Sequence, residues 1–157
     1  MASTIELKKL SSKNIVSPKG FTAAGVHCGI KHKKKDLAIL ISDVPASVAG
    51  VFTTNAVQAA PIKVTKEVVY NTKKMQAVIV NSGNANACTG KQGLADAYEM
   101  QQLAAEKLGI AASLVGVAST GVIGEIMKMA PVQNGMALLK PDSKLENGID
   151  FAQAIMT

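Results

Sequence analysis

The chain has 157 residues, 48% of them apolar and 18% charged, which suits one buried core and argues against a disordered segment. Its formal charge is +6, and all 17 basic residues are lysine. With no arginine, no tryptophan and 3% aromatics, it lacks the bidentate donors and stacking faces that nucleic-acid readers use, so no nucleic-acid partner is expected.

Residues 1–20 read as an opening strand and loop that closes at Pro18-Lys19-Gly20, and residues 21–30 as an irregular strand rich in small residues. A lysine cluster follows at Lys31, Lys33, Lys34 and Lys35. It reads as a solvated loop that at most steers an anionic substrate. Residues 36–44 predict a buried strand, Pro45-Ala46 a turn and residues 47–55 a second strand, together a hairpin. Pro61 at the start of the next segment predicts a helix with Val64, Val68 and Val69 on one face. Met75 to Val80 is a short continuous apolar run, as in a central strand. Lys91 to Leu108 predicts a strong helix whose stripe includes Leu94, Ala97, Tyr98, Ala104 and Leu108, with Gly109 as its stop. Leu114 to Ala118 reads as another strand. Helical patterns then run from about Glu125 to Leu139, broken near Pro131, and from Ile149 to Met156. The expected fold is a mixed α/β (α+β) single domain over residues 1–157.

Two cysteines, Cys28 and Cys88, are too few for a disulfide scaffold, and neither has a CxxC partner for zinc. The polar start, with Glu6, has no apolar stretch of a secretory signal and is not Arg-rich like a transit peptide. Runs such as Leu37 to Ile41 fall far short of the ~20 residues that span a bilayer, so a cytoplasmic protein with no membrane partner is expected.

Twice, a buried strand leads into a segment of Gly, Ser, Thr and Asn that precedes a helix. Such segments expose backbone N–H groups that suit an anion or a developing oxyanion. The first, Asn81 to Lys91, resembles a phosphate loop but fails its pattern. G-x-x-x-x-G-K-S/T needs glycine at Ala85 and a hydroxyl at Gln92. Asn side chains holding the loop by Asx turns are the simpler role. In the second, Ala118-Ser119-Thr120-Gly121, the Thr120 hydroxyl and the Gly121 N–H offer two donors to one oxygen. Ser119 or Thr120 as a nucleophile, or as a helix N-cap, are the rivals, but no G-x-S-x-G elbow surrounds them. Cys88 activated at a helix start with His27 as base is a further candidate, set against a small buried thiol. No paired carboxylates and no metal-ligand cluster stand out, so no metal and no cofactor are expected.

Four strings carry a more specific signal: AGVFTTNAVQAAP (Ala49–Pro61), VNSGNANACTG (Val80–Gly90), VASTGVIGE (Val117–Glu125) and GIDFAQAIMT (Gly148–Thr157). From about Val16 to Thr157, the chain closely resembles the N-terminal part of the ornithine acetyltransferase family, the bifunctional glutamate N-acetyltransferases of arginine biosynthesis. The resemblance implies an αββα-type sandwich and self-cleavage into an α chain and a β chain with an N-terminal threonine nucleophile. That threonine takes acetyl from N2-acetylornithine and passes it to glutamate, and some members also accept acetyl-CoA. It further implies that Thr120 and Gly121 form the oxyanion hole, that Thr157 contacts substrate, and that the partner is a β chain in an αβ hetero-oligomer. Because the nucleophile's α-amine can act as base, no histidine is needed. The sequence stops before the family segment KGxGMxxPxxA that precedes the cleaved bond. The nucleophile is therefore expected on another chain, and this polypeptide alone is expected to be incompetent. The rival expectations are a non-catalytic assembly subunit and an N-terminal-nucleophile amidase or aminopeptidase that uses water as acceptor.

Overall fold

A computed structural model describes residues 13–157, so most of the predicted opening strand lies outside the described residues. The chain builds β1 (Phe21–Val26), β2 (Leu37–Ser47), α1 (Ala60–Glu67), β3 (Lys74–Asn84), α2 (Gly90–Leu108), β4 (Val115–Val122), α3 (Met129–Leu138) and α4 (Leu145–Ile155). The four strands form one sheet in the order β1-β2-β3-β4. The first two pairings are antiparallel, whereas β3 and β4 run parallel with α2 as their crossover. The mixed α/β class is as expected.

Strand alternation divides the apolar residues between two faces. Leu37, Ile39, Ala77, Ile79, Val115 and Val117 pack against Val64 of α1, Met100 and Ala104 of α2, and Val132 and Met136 of α3. On the opposite face, Ala23 and Ala38 meet Phe151 and Ala154 of α4, with half-buried Leu40 and Val80 beside them. Three helices thus cover one face, and α4 covers part of the other.

The predicted hairpin is not formed. β2 continues through Pro45, and residues 48–58 carry no strand. The register with β3 breaks between Ile41 and Ala46, so Pro45 sits where that ladder asks for no N–H. Thr53 and Asn55 accept from the N–H groups of Asn55 and Val57, which gives the next segment local bonds in place of a ladder. Val51 is fully exposed there, while Phe52 stacks edge-on to Tyr70 at 5.8 Å.

The helices match the sequence more closely. α1 begins at Ala60 with proline in its first turn, and Val64, Val68 and Val69 are buried as expected. Tyr98 is the exception in the α2 stripe. It is exposed and bonds to Glu67, while Met100 and Gln101 turn inward. α3 starts four residues later than predicted and is unbroken, because Pro131 lies in its first turn where a missing N–H leaves no gap. α4 starts four residues before the predicted Ile149.

β4 is an edge strand of the described sheet, and its outward groups at Val115 and Val117 find partners. Thr65 Oγ1 accepts from Val117 N at 2.8 Å and donates to Val117 O at 2.6 Å, and Gln101 Nε2 donates to Val115 O at 2.8 Å.

Candidate active site

The second glycine-rich segment is a strand end rather than a loop opening a helix, whereas the first is strand only to Asn84 and then, over 85–89, the loop that opens α2. β3 runs on through Asn81-Ser82-Gly83-Asn84 and β4 through Ser119-Thr120-Gly121-Val122. They lie side by side, with Ser82 opposite Thr120 and Gly83 opposite Gly121. Gly121 has φ 133°, and a Cβ there would run into the backbone of Gly83 and Asn84. Only glycine permits that approach. After β4 the chain bends for several residues before α3, so neither Ser119 nor Thr120 is a helix N-cap.

Backbone alternation fixes where the donors point. Val115 and Val117 present their polar groups away from β3, and Val122 O turns toward it to accept from Ala85 N at 2.9 Å. The Gly121 N–H therefore faces the outer edge with those of the odd-numbered residues. Thr120 is half-buried and Gly121 exposed.

The first segment is a structural hub. Asn84 Oδ1 accepts from Asn86 N at 2.7 Å, an Asx turn, and Asn84 Nδ2 donates to Glu125 O at 3.0 Å. Asn86, wholly buried at φ 46°, donates to Gly93 O and accepts from Thr89 Oγ1, both at 2.7 Å. These bonds fasten the start of α2 and the exit of β4 to the end of β3. Between Gly83, Asn84, Glu125 and Lys128 lies a polar cavity of about 160 Å³.

Cys88 and His27 are not brought together. Exposed Cys88 lines a cavity with Lys63 and Lys91 where α2 begins, whereas His27 Nδ1 lies 2.8 Å from Lys34 O and 3.1 Å from Asp36 Oδ2. Burial first, and then Asp36, push the neighbouring Cys28 thiol up to about 12, which leaves it unreactive.

Asp36 organises the β1–β2 loop. Its carboxylate is wholly buried and accepts from Cys28 N at 2.7 Å, Gly29 N at 3.2 Å and Lys31 N at 2.8 Å. Burial works to raise its pKa, but the N–H donors outweigh it and hold the group below the usual carboxylate range. The lysine cluster is only partly a solvated loop. Lys33 and Lys34 are exposed, Lys35 pairs with Asp150 of α4, and Lys31 Nζ donates to Met156 O at 2.8 Å. Ser82 Oγ reaches Ala154 O at 2.5 Å. Since Ser82 stands opposite Thr120, the exposed Thr157 leaves α4 at the sheet end that carries Thr120 and Gly121. Asp36, Ser82 and the separate role of Lys31 have no sequence signal, because each depends on partners distant along the chain.

Among the described residues no group of three or more His, Cys, Asp or Glu side chains could hold a metal ion. A model described as the ArgJ family matches residues 22–157. The chain belongs to the ArgJ family. Its relatives include the arginine biosynthesis bifunctional protein ArgJ of Streptococcus mutans, 56% identical over 95% of this chain and 37% of that protein. The Bacillus cereus (strain ATCC 14579) ArgJ is 50% identical over 100% of the chain and 38% of its own length. The crystal structure of Bacillus halodurans ArgJ matches with a TM-score of 0.92 at 51% identity, covering 96% of this chain and 78% of that one. Ornithine acetyltransferase from Mycobacterium tuberculosis, solved with ornithine, gives a TM-score of 0.90 at 40% identity, covering 94% and 81%. The chain thus spans little more than a third of the length of the curated ArgJ proteins it matches.

Proposed function

We propose that this chain is the N-terminal, α-chain part of an ArgJ acetyltransferase that moves acetyl from N2-acetylornithine to glutamate. The observation that supports this reading is the close Gly83–Gly121 pairing at the end of β4, which requires glycine at 121 beside Thr120. In this reading the Thr120 hydroxyl and the Gly121 N–H are the two donors. A threonine nucleophile on the partner β chain attacks the acetyl carbonyl, and the carbonyl oxygen takes up negative charge in the tetrahedral intermediate. Donors already in place lower that barrier because nothing has to reorganise as the charge develops. Ornithine leaves as the amine and an acetyl-threonine ester remains, which glutamate's amine then opens. Thr157, at the same sheet end, is the substrate contact. This chemistry calls for no metal or cofactor, and acetyl-CoA would enter as an alternative donor substrate.

The part of the sheet that no described helix covers supports a partner. Beyond α4, Phe21, Leu40, Met75 and Val78 line an apolar cavity of about 170 Å³ on the face opposite α1–α3. A second sheet from the rest of the family's length, packed there, completes an αββα sandwich and an αβ unit, here taken to work in the cytoplasm. No described helix is long and apolar enough to cross a membrane.

The test is Thr120→Ala in the full-length enzyme. Acetyl transfer from N2-acetylornithine to glutamate should fall about 10²–10³-fold, with assembly unchanged by size exclusion. Unchanged turnover would remove Thr120 from the mechanism, and transfer to water in place of glutamate would favour the amidase class.

A further inference from the structure

We propose that Lys31 is a positioning residue that sets Thr157 relative to the Thr120–Gly121 donors. This role rests on the acetyltransferase reading above.

Lys31 is fixed at three points. Its N–H is held by the wholly buried Asp36 carboxylate at 2.8 Å. Its stem lies over Gly83, where a Cβ would come within 2.8 Å of Lys31 Cγ, and Gly83 is the register partner of Gly121. Its Nζ donates to the carbonyl of Met156 at 2.8 Å, immediately before Thr157. One side chain therefore touches both the strand that backs the donor pair and the peptide that delivers the substrate contact. Met156 lies beyond the end of α4, where the helix supplies no N–H for its carbonyl. Ser82 makes the parallel tie one residue away along β3, by donating to Ala154 O at 2.5 Å. The two bonds fix the exit of α4 from the side of β3. Lys33 and Lys34 are exposed and contribute charge to the same loop, which allows positioning to be separated from simple attraction of an anion.

Displacing a contact by about 1 Å can cost a large factor in productive binding, so the loss of this tie should be visible in kinetics without unfolding the protein. The experiment compares Lys31→Met, Lys31→Arg and Lys33→Met in the full-length enzyme, measuring KM, kcat and thermal midpoint. Lys31→Met is expected to raise KM for N2-acetylornithine about tenfold while kcat stays within about threefold, the pattern of lost uniform binding. Lys31→Arg, which keeps a donor for the Met156 carbonyl, should recover most of the loss, and Lys33→Met should leave KM unchanged. The thermal midpoint should be the same in all three. Wild-type KM in Lys31→Met, or equal increases in Lys31→Met and Lys33→Met, would overturn the positioning role. Absence of acetyl transfer in the unmodified enzyme would instead overturn the acetyltransferase reading and this role with it.

Discussion

At the scale of single residues, a buried carboxylate holds a loop in place. The Asp36 carboxylate receives the N–H groups of Cys28, Gly29 and Lys31, and its pKa is held down by them. A depressed carboxyl contributes stability above its unfolded pKa of about 3.9, and that contribution is lost as the pH falls through the lower folded-state value. Asp36→Asn should therefore be less stable than the native chain at pH 7, and the gap should narrow below about pH 4. Urea unfolding at both pH values checks this, and an equal gap at both would show that the charge is not what matters. The Thr-Gly step stands out in the sequence because the two residue types are adjacent. The glycine that makes room for it does not, since Gly83 acquires its purpose only when β3 and β4 are side by side. Asp36 was hidden for the same reason. A lone aspartate before an apolar run looks like the start of a strand, and its three donors converge only once the loop has folded.

At the scale of elements, helices were readable and strand limits were not. α1 and α2 announce themselves by apolar spacing and by proline or glycine at their ends, and α4 by apolar spacing alone, all local signals. β2 crosses Pro45, β3 takes in the first four residues of a polar string that looked like a loop and β4 takes in Ser119 to Val122, because pairing partners rather than local propensity set where a strand stops. The docking of α1 shows the same dependence on distant contacts. Thr65 bonds both polar groups of Val117 from 52 residues away. Thr65→Val keeps the shape and leaves those groups without partners, so it should cost about 2 kcal/mol. For a domain of this size that corresponds to a fall of about 4–8 °C in the thermal midpoint, measurable by calorimetry. A shift under about 1 °C would mean that water replaces the hydroxyl at no cost.

At the scale of the whole molecule, the described residues leave part of one sheet face without a covering helix, and the proposed donors Thr120 and Gly121 have no nucleophile assigned beside them. Supplied alone, the chain should give no transfer from N2-acetylornithine to glutamate, and adding the remaining segment of the ArgJ length should restore it. Turnover by the chain alone would mean that one of its own hydroxyls acts as the nucleophile. The absence of arginine also gains a meaning here. Any recognition of glutamate's carboxylates from this side falls to lysines, hydroxyls and backbone N–H groups. The outer edge of β4 carries one further consequence. An unpaired edge invites another chain to add a strand, a route to aggregation that proteins block with covering helices. Thr65 and Gln101 block it along Val115 and Val117, and no such side-chain cover among the described residues extends to Gly121, whose N–H turns outward. The strand is thus guarded against strand addition along its first half, and in the acetyltransferase reading its tip stays free for a single substrate oxygen.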